Sequence, residues 1–345
     1  MEHYTIYHNE IPAVIRDCMD APCVQRLRDV GMNCGCEYTS FPRFAGLLPY
    51  SRFDHSVGAA LIVWHFTHDE KQAAAGLLHD VATPVFAHVV DFLRGDYLVQ
   101  ESTEDGTRAA IEADETLQTA LKRYGLTTDD VFDYHRYPIA DNDSPRLSSD
   151  RLEYTLGNLL NYRIRTPEEV QAFYAGLSVG TNEDGAPELV FSAASIAEDF
   201  AFASLACSRI YVSDEDRYAM QMLSELLRDA IALGVLSETD LHTTEPQVIG
   251  KLLDCEPTAK AWRRYRAYHA MRRANAPEGE GQWRRIPAKK RYIDPLIQGV
   301  GRVSAYSEAF RTAVEAFRSD PQTDWIAGET GFSVQEGTDR SGTER

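Results

Sequence analysis

The chain has 345 residues, 43% hydrophobic and 26% charged, an ordinary globular balance with room for one large domain or two small ones. Its 35 basic and 53 acidic side chains give a formal net charge of −18, which argues against broad nucleic-acid binding, because neutralising phosphates needs a cationic face. No apolar run reaches the ~20 residues needed to span a bilayer, so no membrane partner is expected. Met1-Glu2-His3-Tyr4-Thr5 lacks the basic and apolar regions of a signal peptide. Six cysteines without Cys-x-x-Cys spacing read as free thiols, and the expected location is the cytoplasm.

Most of the chain has helical periodicity. Residues 11–30 carry apolar positions at helical spacing, with a start at Pro22. Residues 56–68 form an apolar helix with His55 at its start, 71–79 a helix ending on His79, and 86–93 a further helical wall. Residues 107–124 read as one amphipathic helix closed by Gly125. A helix over 150–160 has Ser148 or Ser149 as its N-cap. The segment 177–192 breaks the pattern: Asp184-Gly185 between β-prone runs predicts a small hairpin. Helices resume over 195–212 and 216–233, the second stopped by Gly234. The expected organisation is one helical domain over 1–235, a C-terminal helical extension over 236–318 packed on it, and a disordered polar tail over 319–345.

Three strings carry the chemistry: Ser-Arg-Phe-Asp-His-Ser-Val-Gly (51–58), Gly-Leu-Leu-His-Asp-Val (76–81) and Ser-Ser-Asp-Arg-Leu-Glu-Tyr (148–154). His55, His79, Asp80 and Asp150 together offer imidazole nitrogen and carboxylate oxygen, a donor set for one borderline divalent ion. A second dipeptide, His68-Asp69, serves as an internal control. It sits in a polar stretch and reads as an exposed helix end, whereas His79-Asp80 follows the apolar run Ala73-Ala74-Ala75-Gly76-Leu77-Leu78. A buried charged Asp needs a partner or a metal.

These strings, with Gln25-Arg26-Leu27 and Phe41-Pro42 before them, resemble the HD-domain metal-dependent phosphohydrolases, of the branch that includes the deoxynucleoside triphosphate triphosphohydrolases. The resemblance covers roughly residues 10–235. It implies an all-α HD-domain helical bundle with a small β-hairpin insertion, one divalent metal ion (Mn, Fe, Zn, Ni or Mg), and a small phosphorylated substrate, a nucleotide being favoured. The chain departs from that branch at two histidines near the leaving group, where Thr83 and Thr103 stand instead. A threonine hydroxyl can hydrogen-bond a phosphate but cannot act as an acid near pH 7.

The expected catalytic residues are therefore His88, Asp91 as the carboxylate that orients it, and Asp80. Arg52, Thr83, Arg151 and Tyr154 are the candidates for substrate contact. His135 is a further imidazole that could replace a missing one. The basic segment 260–291, with eleven Lys or Arg against two Glu, suggests a secondary anionic-ligand surface. The expected activity is hydrolysis of a phosphoester or phosphoanhydride. The alternative is a metal-retaining regulatory protein that binds a nucleotide, and homo-oligomerisation is left open.

Overall fold

A computed structural model describes residues 6–94 and 106–331; within it, nothing is described of the Asp91 and Arg94 side chains. The first helices are α1 (Ala13–Met19), α2 (Pro22–Gln25), α3 (Arg52–Thr67), α4 (Glu70–Leu78), α5 (Val89–Arg94), α6 (Thr107–Ala113), α7 (Glu115–Arg123), α8 (Thr128–Val131), α9 (Ser149–Asn161) and α10 (Pro167–Ala175). A hairpin, β1 (Leu177–Thr181) and β2 (Pro187–Phe191), leads to α11 (Ala194–Ile210), α12 (Asp214–Ala232), α13 (Glu245–Asp254) and α14 (Glu256–Arg266). Then come β3 (Tyr268–Ala274), β4 (Leu296–Ile297), β5 (Gly301–Arg302), α15 (Val303–Tyr306), α16 (Glu308–Ser319) and β6 (Trp325–Thr330).

The helices that carry the three strings start from local chemistry. Ser51 caps α3 in a reciprocal box with Asp54. Asp69 caps α4 by accepting from the Lys71 and Gln72 amides. Ser148 caps α9 through the Arg151 amide, one of the two caps expected. Small residues then let α3 and α4 lie close: a Cβ at Gly76 would stand 3.4 Å from Val63 and 3.5 Å from the Ala60 backbone. Ser149 Oγ donates to the Ala59 carbonyl at 2.6 Å and ties α9 onto α3.

Three expectations are corrected. The fold is mainly helical rather than all-α: β1-β2-β4-β5 form one sheet, with β2 and β4 parallel, and β3 pairs antiparallel with β6 in a second. The helix expected over 107–124 breaks at Asp114, whose carboxylate caps α7 through the Leu117 amide and also accepts from Cys23 N–H at 2.9 Å. The tail expected from 319 onward includes β6, because Ile326 and Ala327 are fully buried against β3; residues 332–345 lie outside the described part. The hairpin of 177–192 forms, with Gly185 at φ +78° in its turn.

Two apolar clusters fill the interior. One lies around α3, α4 and α9 and takes in Ile293, Ile297 and Phe310 from the C-terminal part. The other joins Phe41, Phe86 and α12 to Trp262, Tyr265 and Tyr268. Among the described residues no helix is long and apolar enough to cross a membrane.

Candidate metal centre

His55 lies in the first turn of α3, His79 and Asp80 at the C-terminal end of α4, and Asp150 in the first turn of α9. Their donor atoms converge. His55 Nε2 stands 3.1 Å from His79 Nε2, 3.1 Å from Asp150 Oδ1 and 3.8 Å from Asp80 Oδ2. His79 Nε2 stands 3.6 Å from Asp80 Oδ2 and 3.7 Å from Asp150 Oδ1. Two donors on one ion at bond lengths of roughly 2.0–2.3 Å are separated by no more than about 4.6 Å, so all five separations fit one ion. His55, His79 and Asp80 form the tight, buried part of the group, and Asp150 approaches from the more open side.

The far side of each ring sets its tautomer. His79 Nδ1 lies 2.7 Å from the Gly76 carbonyl, which can only accept, so Nδ1 carries the hydrogen and Nε2 presents a lone pair. His55 Nδ1 lies 2.5 Å from Glu153 Oε2, with the same consequence. Two lone pairs and two carboxylates therefore point at one space, an arrangement that needs a cation between them. A proton is the smallest such cation. Burial works against charging His55, but hydrogen bonds to Asp150 and Glu153 outweigh it and push its pKa up to about 10.

Glu153 is the residue that motif reading did not single out. It is fully buried and accepts from His55 Nδ1, from Tyr50 OH at 2.5 Å and from Tyr7 OH at 3.3 Å. Burial first, then the charge of Glu153, holds both phenols well above their usual range, so they remain donors. Two glycines make the room. A Cβ at Gly58 would stand 2.6 Å from the Glu153 side chain, and one at Gly157 would stand 2.6 Å from Tyr50 OH. The legible signal was a carboxylate one helical turn after Asp150, inside an apolar stretch.

Asp80 is held from both oxygens. Arg52 Nη1 donates to Oδ2 at 2.9 Å and Thr83 Oγ1 donates to Oδ1 at 2.8 Å. Burial would raise this carboxyl, yet Arg52, His79 and His55 together hold it far below the usual carboxylate range. Asp150 is likewise held low, by His55, His79 and Arg151 against the effect of burial. Arg26, from the Gln-Arg-Leu string, fixes the turn after Asp80 by donating to the carbonyls of Val81 at 3.0 Å and Thr83 at 2.7 Å.

The centre opens into a cavity of about 300 Å³ lined by Arg52, His88, Arg151 and Tyr154, among others. Thr83 is buried, with its hydroxyl donated to Asp80. Arg151 pairs with Asp141 at 3.1 Å and donates to Arg146 O and to Asn142. The Tyr154 ring lies 6.5 Å from the His55 ring. Phe86 and Ala87 just before His88 have left-handed backbones, φ +57° and +43°, an uncommon state for such residues that re-aims the chain toward the cavity. The Asp91 side chain and Thr103 lie outside the described residues. His135 is held by Asp141 at 2.7 Å, and the Tyr134 ring contacts both His135 and His79. The control pair behaves differently: His68 is exposed and closes α3, Asp69 is a helix cap, and His68 lies 13 positions along α3 from His55, about 20 Å at 1.5 Å per residue.

No protein-family model matches the chain. It is 25% identical over 302 residues to the metal-dependent phosphohydrolase cns2 of Cordyceps militaris, covering 85% of this chain and 83% of that one. It is 23% identical over 248 residues to the uncharacterized protein YdhJ of Bacillus subtilis, covering 71% and 72%. The solved structure of a phosphohydrolase from Bacteroides thetaiotaomicron superposes with a TM-score of 0.65 over 94% of this chain and 97% of that one, at 16% identity. The chain therefore shares the fold of that phosphohydrolase.

Proposed function

We propose that the protein is a metal-dependent phosphohydrolase of the HD type, with His55, His79, Asp80 and Asp150 as ligands of one divalent ion. The observation that carries this reading is the pair of imidazole Nε2 atoms 3.1 Å apart beside two carboxylates held ionised. The printed name of the Cordyceps relative supports it. An ion bound there would polarise a phosphoryl oxygen and generate a nucleophile from water near neutral pH.

The chain's own groups have the remaining tasks. Glu153 fixes the His55 ring so that Nε2 stays a donor to the ion. Arg52 and Thr83 orient Asp80 through its two oxygens, and Arg52 also lines the cavity. His88, on the cavity wall, is the imidazole placed to protonate the leaving oxygen or hold a phosphate oxygen. The substrate we favour is a nucleotide, a class suggested by the resemblance of the three strings and compatible with the ring faces of Tyr154, Tyr162 and Tyr211 in the cavity. Six free cysteines fit a cytoplasmic location.

A phosphate-release screen over nucleoside mono-, di- and triphosphates and a generic diester, with divalent metal added or chelated, tests this. Metal-dependent release, abolished by Asp80→Ala or Asp150→Ala, is the expected result. Release of intact triphosphate from deoxynucleoside triphosphates should be weak, since Thr83 commits its hydroxyl to Asp80 and offers no acid. No release from any class with metal bound would defeat the enzymatic reading.

A further inference from the structure

The basic segment 260–291 does not act as one surface. Arg263 pairs with Glu256, Arg272 with Glu329 and Arg273 with Asp214. Arg284 makes two 2.7 Å bonds to Glu225. The last residues of the segment behave differently. They run as an extended strap between β3 and β4, anchored at one end by Ala288 N–H on Gln322 and at the other by Asp294 N–H on Pro145 O at 2.8 Å. Lys290 donates to the carbonyls of Arg318 and Asp320 at the end of α16. Ala288, Lys289, Arg291, Tyr292 and Ile293 line the cavity of the metal centre.

Arg291 stands out there. Arg52 gives Nη1 to Asp80 and keeps a buried Nε without a partner, whereas Arg151 is committed to Asp141 and Asn142. Arg291 has no hydrogen bond or ion pair among the described residues, although Asp141 and Asp216 line the same cavity. It is half-buried, and its charge is felt at the Tyr154 hydroxyl, on the residue whose ring faces His55. A guanidinium presents five donors in a planar fork that matches phosphate oxygens, and one withdrawn from water without a partner favours an anion.

We propose that Arg291 is a substrate-binding residue that holds phosphate oxygens of the substrate from the wall formed by the 288–294 strap. This rests on the phosphohydrolase reading, because the anion it serves is the one brought to the metal centre. The strap joins the C-terminal region to the site, a role that the ligand strings before residue 155 do not announce.

The test is calorimetric binding of inorganic phosphate to the full-length protein loaded with Mn²⁺, with metal content and melting temperature measured on every variant. Arg291→Ala should weaken phosphate about tenfold or more, and Arg291→Lys should fall between, since an ammonium cannot make the bidentate contact. Arg285→Ala removes the same charge from an exposed neighbour outside the cavity, and should change affinity by less than about twofold. Unchanged affinity in Arg291→Ala, or an equal loss in Arg285→Ala, overturns the assignment and leaves the phosphohydrolase reading standing. If the alanine variant loses metal or fold, Arg291→Lys decides alone: wild-type affinity in that variant overturns the proposal. Absence of phosphate binding by the loaded wild-type protein overturns both.

Discussion

Two groups of buried carboxyl side chains in this molecule titrate in opposite directions. At the metal centre, Asp80 and Asp150 are held far below their usual range. Behind the His88 turn, burial and the neighbouring Glu245 charge push Glu37 up to about 8, burial pushes Glu245 upward against its hydrogen bonds, and burial pushes Asp216 up to about 8. Burial alone raises every carboxyl in both groups. What differs is the company: the first group has Arg52 and two imidazoles, whereas Glu37 and Glu245 share one space beside Gly31. Only the first group is prepared to hold a cation. In the second, burial favours the neutral form, and Glu245 accepts from the Tyr38 hydroxyl at 2.7 Å, the Gly31 amide at 2.8 Å and the Phe86 amide at 3.4 Å, which supports the left-handed turn before His88.

The sharpest way to break this contrast is to remove a ligand. Asp80→Ala or His55→Ala should lose bound metal and turnover together, by roughly 10³-fold or more, in metal analysis paired with phosphate release. Glu37→Gln should leave metal content unchanged. Next in size is Glu153→Gln, which keeps the shape but removes the carboxylate behind His55. Metal affinity should fall roughly 10–100-fold by competition with a chelating dye. Gly58→Ala should act in the same direction by displacing that side chain, with about 1–3 kcal/mol of overpacking visible in denaturant unfolding.

How much of this was legible follows from which residues do the work. The four proposed ligand positions stand in three local strings at helix ends, where caps and periodicity are visible in the chain, so the convergence of α3, α4 and α9 could be anticipated. Tyr7, Tyr50, Gly58 and Gly157 gather around Glu153 from four parts of the sequence, and no local pattern marks a glycine as space for a remote carboxylate. The helix break at Asp114 and the strand at 325–330 were missed for a similar reason. Each depends on a partner far along the chain, Cys23 N–H in one case and β3 in the other. In the basic segment, charge count was legible but pairing was not, and pairing removes Arg284 from service while leaving Arg291 in the cavity.

The pH dependence sharpens the contrast further. His55 has a raised pKa, so its proton stabilises the metal-free fold fully below about 6.5, and that contribution is lost as pH rises through about 10. Metal must displace this proton. Apparent metal affinity should therefore rise with pH, by up to about tenfold per unit between pH 7 and 9, with proton release measurable by calorimetry in buffers of different ionisation enthalpy. A flat affinity over that interval would remove His55 as a ligand that competes with protons.

The smallest expected effect lies in the neutral group. Glu37 also has a raised pKa, but as an acid it favours the fold below its unfolded value near 4.5 and loses that advantage as pH climbs toward 8. Glu37→Gln should thus stabilise the protein relative to wild type at pH 8–9, with the gain vanishing toward pH 5 in urea melts. A gain that is equal at both pH values would mean that folding does not raise the Glu37 pKa.

The most direct measurement is anomalous diffraction from crystals of the protein soaked in Mn²⁺. One peak is expected, bonded by His55 Nε2, His79 Nε2, Asp80 Oδ2 and Asp150 Oδ1 at roughly 2.0–2.3 Å, with the Glu37–Glu245 cluster empty. Absence of a peak between the two imidazoles at full Mn²⁺ loading, or a peak at the Glu37–Glu245 cluster instead, would contradict the account.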